Sequence, residues 1–183
     1  MKALFLFIAS TLGASAIEKP DYETIFAEGD FEVRKYESIK VVSAPMDDME
    51  NRDESFRKLF KYISGNNAND QKIAMTAPVF MDEKGDKEGT MSFMLPAEIA
   101  EAGAPSPDEE GLEVTEVEGG TYAVLCFKGW KSEKQQEAAI AKLTELVAAQ
   151  NLKPINEPFF AFYDPPWKPE MFRRNEVWQR VEP

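Results

Sequence analysis

The most informative count in this chain is zero, because it holds no histidine. That removes serine–histidine–aspartate and cysteine–histidine nucleophilic constellations, and histidine-bound zinc sites with them. Acid–base work falls to Glu, Asp, Tyr and Lys. A Glu buried beside a Tyr with a raised pKa would be such a site, and Glu176 is the first candidate. Cys126 is the only cysteine, so no intramolecular disulfide forms, and its flanks Leu125 and Phe127 predict a buried, inert thiol. What remains abundant is soft and flat. There are eight Met, whose thioethers adapt to irregular apolar surfaces. Phe159, Phe160, Phe162, Tyr163, Trp167, Phe172 and Trp178 fall close together in the chain. Such side chains suit a flat apolar ligand held by stacking and burial, and they serve equally as core.

These residues need a scaffold, and the pattern predicts one domain behind a leader. Lys2, the apolar run Ala3 to Gly13 and Ala14-Ser15-Ala16 read as a cleavable export signal over residues 1–16. Residues 17–183 then form a single domain. A formal net charge of −12 repels phosphate backbones and anionic lipid surfaces, so neither nucleic acid nor stable membrane association is expected.

Short β-rich runs dominate. Tyr22–Ala27, Phe31–Tyr36 and Ile39–Met46 lead to a helix over Asp53 to Ser64, where Phe56, Leu59, Phe60 and Ile63 recur on one face. Asn51 or Asp53 can cap its start. Lys72–Met81 and Thr90–Leu95 read as strands about a polar turn, with Pro78 marking an edge or bulge. Ala97 to Gly111 reads as a surface connection. Leu112–Val117 and Thr121–Phe127 then form an expected hairpin about Gly119-Gly120. A helix capped by Ser132 and Gln135 buries Ile140, Leu143 and Val147, and Phe159–Tyr163 and Glu176–Val181 close the chain. Tyr122, Val124 and Cys126 alternate with Ala123, Leu125 and Phe127, so that strand must be covered on both faces. Asp47, Asp48, Glu50, Asp53 and Glu54 match no calcium-loop spacing and read as a solvated helix entrance.

Three segments go further than pattern. Lys72-Ile73-Ala74-Met75-Thr76-Ala77-Pro78-Val79 precedes Phe93-Met94-Leu95-Pro96. Tyr163-Asp164-Pro165-Pro166-Trp167-Lys168-Pro169 precedes Arg173-Arg174-Asn175-Glu176-Val177-Trp178. In this order they resemble the SOUL / haem-binding family over about Tyr22 to Val181. The resemblance implies an α+β fold: a distorted antiparallel β-barrel of two pseudo-symmetric ββαββ halves flanked by two helices. It also implies a non-enzymatic protein that holds haem or another tetrapyrrole non-covalently in an apolar cleft. Axial histidine ligation is impossible here, which leaves Met75, Met46, Tyr36 and Cys126 as conceivable iron ligands. Met75, Met94 and Trp167 are expected to wall the cleft. Lys61, Lys168, Arg173 and Arg174 are expected to meet the propionates at its rim, although Arg174 can equally pair with Glu176. Two other readings stay open: a metal-independent hydrolase or isomerase using Glu and Tyr in the same cleft, and a module that binds a protein partner along an edge strand.

Overall fold

The computed structural model describes residues 17–46, 52–84, 87–129, 132–165 and 167–182. The expected leader, the acids Asp47, Asp48 and Glu50, the cap candidate Asn51, and Pro166 lie outside the described residues. Among the described residues ten strands form: β1 Tyr22–Glu28, β2 Phe31–Tyr36, β3 Ile39–Met46, β4 Val79–Lys84, β5 Lys87–Met94, β6 Glu113–Val117, β7 Gly120–Phe127, β8 Lys153–Pro154, β9 Phe159–Phe162 and β10 Asn175–Glu182. Helix α1 spans Arg52–Ile63, α2 Ala97–Ala102 and α3 Glu133–Ala149.

The strands join in one antiparallel sheet, ordered β1-β2-β7-β10-β9-β4-β5-β3-β6, with the short β8 beside β10. From β2 onward this order is a palindrome of the two halves: β2, β7, β10 and β9 mirror β6, β3, β5 and β4. The pseudo-symmetric axis runs between β9 and β4, where Val79 faces Phe162 and Met81 faces Phe160. No pairing closes the sheet between β1 and β6 among the described residues, so the architecture is α+β on an open antiparallel sheet with three helices.

The palindrome corrects one expectation. β6 and β7 do not pair with each other. β6 pairs with β3 and β7 with β2 and β10, so each half lends a strand to the other. Gly119 marks a crossing in place of a hairpin turn. A Cβ there would stand 2.9 Å from the Ser38 backbone nitrogen and 3.2 Å from the Tyr36 carbonyl oxygen, within the β2–β3 connection. Only glycine tolerates so close an approach of two backbones.

Two further boundaries differ from the pattern. The run Lys72–Pro78 is not a strand, since proline offers the ladder no N–H and β4 begins at Val79. The segment is held instead by Ile73 N–H to the Ile63 carbonyl, 2.8 Å, Ala77 N–H to the Glu18 carbonyl, 2.9 Å, and the Thr76 hydroxyl to the Met94 carbonyl, 2.6 Å. The connection 97–111 carries the short helix α2, which buries Ile99.

Helices α1 and α3 cover the same face of the sheet. α1 packs on β3 and β5, and α3 on β7 and β10, enclosing a core that includes Val42, Leu59, Met81, Ala123, Leu143, Val147 and Val177. Ser132 caps α3 as expected, its hydroxyl accepting from Gln135 N–H. The α1 stripe is only half used. Leu59 and Ile63 are buried together with Ser55 and Tyr62, whereas Phe56 and Phe60 remain exposed. A stripe at i, i+3, i+4 and i+7 spans a wide arc, and the sheet meets only one side of it. We predict that Leu59→Ala costs about 2–5 kcal/mol and Phe60→Ala less than half as much in chemical denaturation. Equal losses would contradict this orientation of α1.

Candidate functional site

The sheet's second face is only partly filled by its own side chains, and a depression of ≈ 440 Å³ lined by Val41, Ser43, Phe80, Tyr122, Phe159 and Arg180, among others, stays open on it. Tyr36, Val41, Phe80, Met94, Tyr122, Val124, Phe159, Ala161 and Trp178 form a separate buried cluster there. Trp178 is its hub, stacked on Tyr36 at 4.4 Å between ring centroids and approached by Phe80, Tyr122 and Phe159 at 5.4, 5.6 and 6.0 Å. β7 is thus apolar on both faces because one meets α3 and the other this cluster.

Beside Trp178 sits Glu176, with 0% of its surface exposed. Arg34, equally buried, donates from Nη1 and Nη2 at 3.2 Å. Arg174 donates from Nε at 2.9 Å and Nη2 at 2.5 Å, Trp178 Nε1–H at 2.7 Å, the Tyr163 hydroxyl at 2.9 Å and the Cys126 thiol at 3.3 Å. Burial alone pushes the Glu176 carboxyl upward, but the Arg34 and Arg174 charges and the Trp178 hydrogen bond outweigh it and hold it below the usual carboxylate range. Burial beside Glu176 pushes the Cys126 thiol up to about 11 and the Tyr163 hydroxyl well above its ordinary value. Glu176 does lie against a tyrosine, as acid–base chemistry would need. Its lowered pKa and the donors around it make it an anchored anion instead of a base.

The expected cleft residues divide among three places. Met94 and Arg174 belong to the second face, Met94 buried in the cluster and Arg174 on Glu176. Trp167 and Lys168 lie on the proline-rich loop. There Lys168 Nζ reaches Asp164 at 2.7 Å, while Arg173 is buried with Nε donating to the Lys168 carbonyl at 2.6 Å. Asp164 also accepts from Arg174 N–H at 2.6 Å, so the loop is tied through one carboxylate. Arg173 therefore supports the loop and does not line a rim. Lys61 and Met75 accompany α1.

Around α1 a different surface appears. Phe56 and Phe60 lie nearly parallel with centroids 6.3 Å apart, and Phe60 is 47% exposed. Met75 is 50% exposed and lines, with Phe60, Ile63, Ser64, Lys72 and Ile73, a shallow depression of ≈ 370 Å³. Lys61, one residue along α1 from Phe60, does not line it, and its ammonium lies 3.2 Å from Glu109 in a pair open to solvent. Such pairs contribute only ~0–1 kcal/mol, so a ligand's carboxylate can take the lysine over. The β4–β9 register brings the proline-rich loop to this end of the sheet. Val79 opens β4 opposite Phe162, which closes β9, so the chains bearing Met75 and Trp167 leave the sheet side by side. Trp167 is 83% exposed, and Met171 and Phe172 are exposed with it.

Pseudo-symmetry sharpens the point. Aligned by their buried residues, Ser55, Leu59 and Ile63 of α1 match Ala139, Leu143 and Val147 of α3. Phe60 then corresponds to Thr144, a solvent-exposed polar residue. Folding alone does not demand an aromatic there. Phe60, Phe56 and Lys72 were not singled out as site residues by sequence reasoning. The two phenylalanines looked like core, and Lys72 stood unmarked at the head of its motif.

The chain is thus a helix-flanked antiparallel α+β domain with an exposed aromatic–thioether surface on α1 and the segment that follows it. The family model described as "SOUL heme-binding protein" matches residues 17–180, and the chain belongs to that family. It is 30% identical over 168 residues to "Heme-binding protein 2" of Mus musculus, covering 85% of this chain and 80% of that protein. It is 29% identical over 192 residues to "Heme-binding protein 2" of Homo sapiens, covering 96% and 92%. Among solved structures it is similar to the C-terminal domain of EcmrR, with TM-score 0.59, 14% identity and coverage of 88% and 98%. It is also similar to a hydrolase from Listeria innocua, with TM-score 0.58, 12% identity and coverage of 84% and 92%. The last two show the fold alone.

Replacing Glu176 by Gln removes the buried carboxylate that Arg34 and Arg174 share and leaves Arg34 to Glu32, 2.7 Å from its Nε, and we predict a loss of about 3 kcal/mol, the lower end for a broken buried pair. Because the folded pKa of Glu176 is depressed, its contribution is present above its unfolded value, about 4.3, and is lost as pH falls through the lower folded value. Acid titration of stability should lose that component in Glu176→Gln. An unchanged acid limb would contradict the buried ion pair.

Proposed function

We propose that this chain is an exported, non-enzymatic protein that holds haem or another tetrapyrrole non-covalently, without histidine, against the exposed face of α1. The observation that carries this reading is the contrast between the two surfaces. The face of the sheet opposite α1 is partly occupied by Trp178, its aromatic neighbours and the Glu176 network, whereas Phe56, Phe60 and Met75 leave apolar surface open where folding does not require it. An apolar patch of this kind marks a site of interaction. The residues present fit a tetrapyrrole: aromatic rings for its faces, a thioether, and Lys61 and Lys72 for its carboxylates. Drug-sized ligands occupy about 300–1,000 Å³, and the depression lies at the lower end of that range. The Trp167 loop provides further apolar surface at the same end of the sheet.

The absence of histidine supports binding by burial and stacking. The depressed pKa of Glu176 weighs against hydrolysis or isomerisation by Glu176 and Tyr163. The apolar run ending in Ala14-Ser15-Ala16 supports export.

The test is a titration of the full chain with iron-free protoporphyrin, followed by absorbance and tryptophan fluorescence. Wild type should saturate at one ligand per chain. Phe60→Glu should weaken binding at least tenfold, about 1.4 kcal/mol, with an unchanged far-ultraviolet circular dichroism spectrum. Undiminished binding by Phe60→Glu would place the ligand elsewhere and sink this reading.

A further inference from the structure

We propose that Met75 is the protein's ligand to haem iron, and that the site therefore prefers the ferrous form. This rests on the surface reading above and deepens it. With no histidine in the chain, the donors left to an iron ion are thiol, phenol, carboxylate and thioether. The structure removes most of them by position. The Cys126 thiol donates to Glu176, on the face of the sheet turned away from α1. Tyr36 is buried in the Trp178 cluster and accepts from Arg34 Nη1 at 3.0 Å. The hydroxyls of Tyr62, Tyr122 and Tyr163 donate to the Pro105 carbonyl, the Glu118 carbonyl and Glu176. The Tyr22 ring packs 5.2 Å from Tyr36 and lies 4.3 Å under the Arg34 guanidinium, in the surroundings of Glu176. Met46, Met81, Met91 and Met94 are each at most 4% exposed.

Among the described methionines only Met75 and Met171 reach solvent, and only Met75 lines the depression with Phe60. Its segment is fixed close by on both sides, through Ile73 N–H on the Ile63 carbonyl and the Thr76 hydroxyl on the Met94 carbonyl. The sulfur is thus presented from a braced backbone beside the aromatic surface. A thioether is neutral and soft, so it stabilises ferrous over ferric iron and raises the reduction potential.

The experiment titrates the full chain with protoporphyrin, ferric haem and dithionite-reduced haem, in wild type, Met75→Leu and Met171→Leu. Leucine keeps an apolar side chain and removes the sulfur. Wild type and Met171→Leu should bind ferrous haem at least tenfold tighter than ferric, about 59 mV for a one-electron couple. Met75→Leu should lose that preference, and its bound haem should show a correspondingly lower reduction potential. Equal affinity of wild type for all three ligands would overturn Met75 ligation and leave the surface site standing. A ferrous preference that survives in Met75→Leu would overturn it as well. Failure of wild type to bind any of the three would overturn both.

Discussion

A buried carboxylate holds the two halves of this protein together. Glu176 sits on β10 in the second half, and its oxygens are met by Arg34 from β2 in the first half. Cys126 from β7, Tyr163 at the end of β9, Arg174 from the proline-rich loop and Trp178 complete its surroundings. A charge removed from water is costly unless paired and hydrogen-bonded, so the arrangement is satisfied only when β2 lies on β7 in its native register. In that register Arg34 faces Tyr122 and Val33 faces Ala123. The exchange of strands between halves, which no local turn dictates, is thus tied to one electrostatic requirement. Slipping β2 by one residue would turn Arg34 to the opposite face and leave Glu176 to Arg174, without its fully buried partner.

The same requirement shapes the sheet's second face. Trp178 donates to Glu176 and in doing so stands among Tyr36, Phe80, Tyr122 and Phe159. The depression left open on that face has polar and acidic groups such as Ser43, Asp82, Thr115 and Glu116 in its lining, whereas the exposed aromatic surface lies on α1. Its pseudo-symmetric partner α3 shows what such a helix looks like when it only packs: Ala139, Leu143 and Val147 inward, Thr144 where α1 has Phe60.

Much of the fold was legible in the residues. Alternation in β2, β3 and β7 and the 3.6-residue period of α3 predicted elements close to those observed, and the SOUL motifs pointed to the family that residues 17–180 match. The strand exchange was not legible, because Gly119-Gly120 is as suitable for a hairpin as for a crossing, and only the approach of Ser38 distinguishes them. The candidate site was half legible. Met75 and Trp167 were named from the motifs and Lys61 from its charge, and Met75 and Trp167 are exposed. Phe56 and Phe60 were hidden, since periodicity shows that residues share a helical face and not how much of that face the sheet covers. Arg173 and Met94 were drawn into the site by motif membership, whereas one braces the loop and the other fills the core.

A tetrapyrrole on the α1 surface and one against the Trp178 cluster would touch different methionines, and methionine methyl resonances distinguish the two directly. With the methionine methyls labelled with carbon-13, protoporphyrin should produce large ring-current shifts at Met75, while Met81 and Met94, buried at 1% and 4% exposure, keep their positions. Large shifts at Met94 with Met75 unmoved would place the ligand on the opposite face of the sheet and contradict the account.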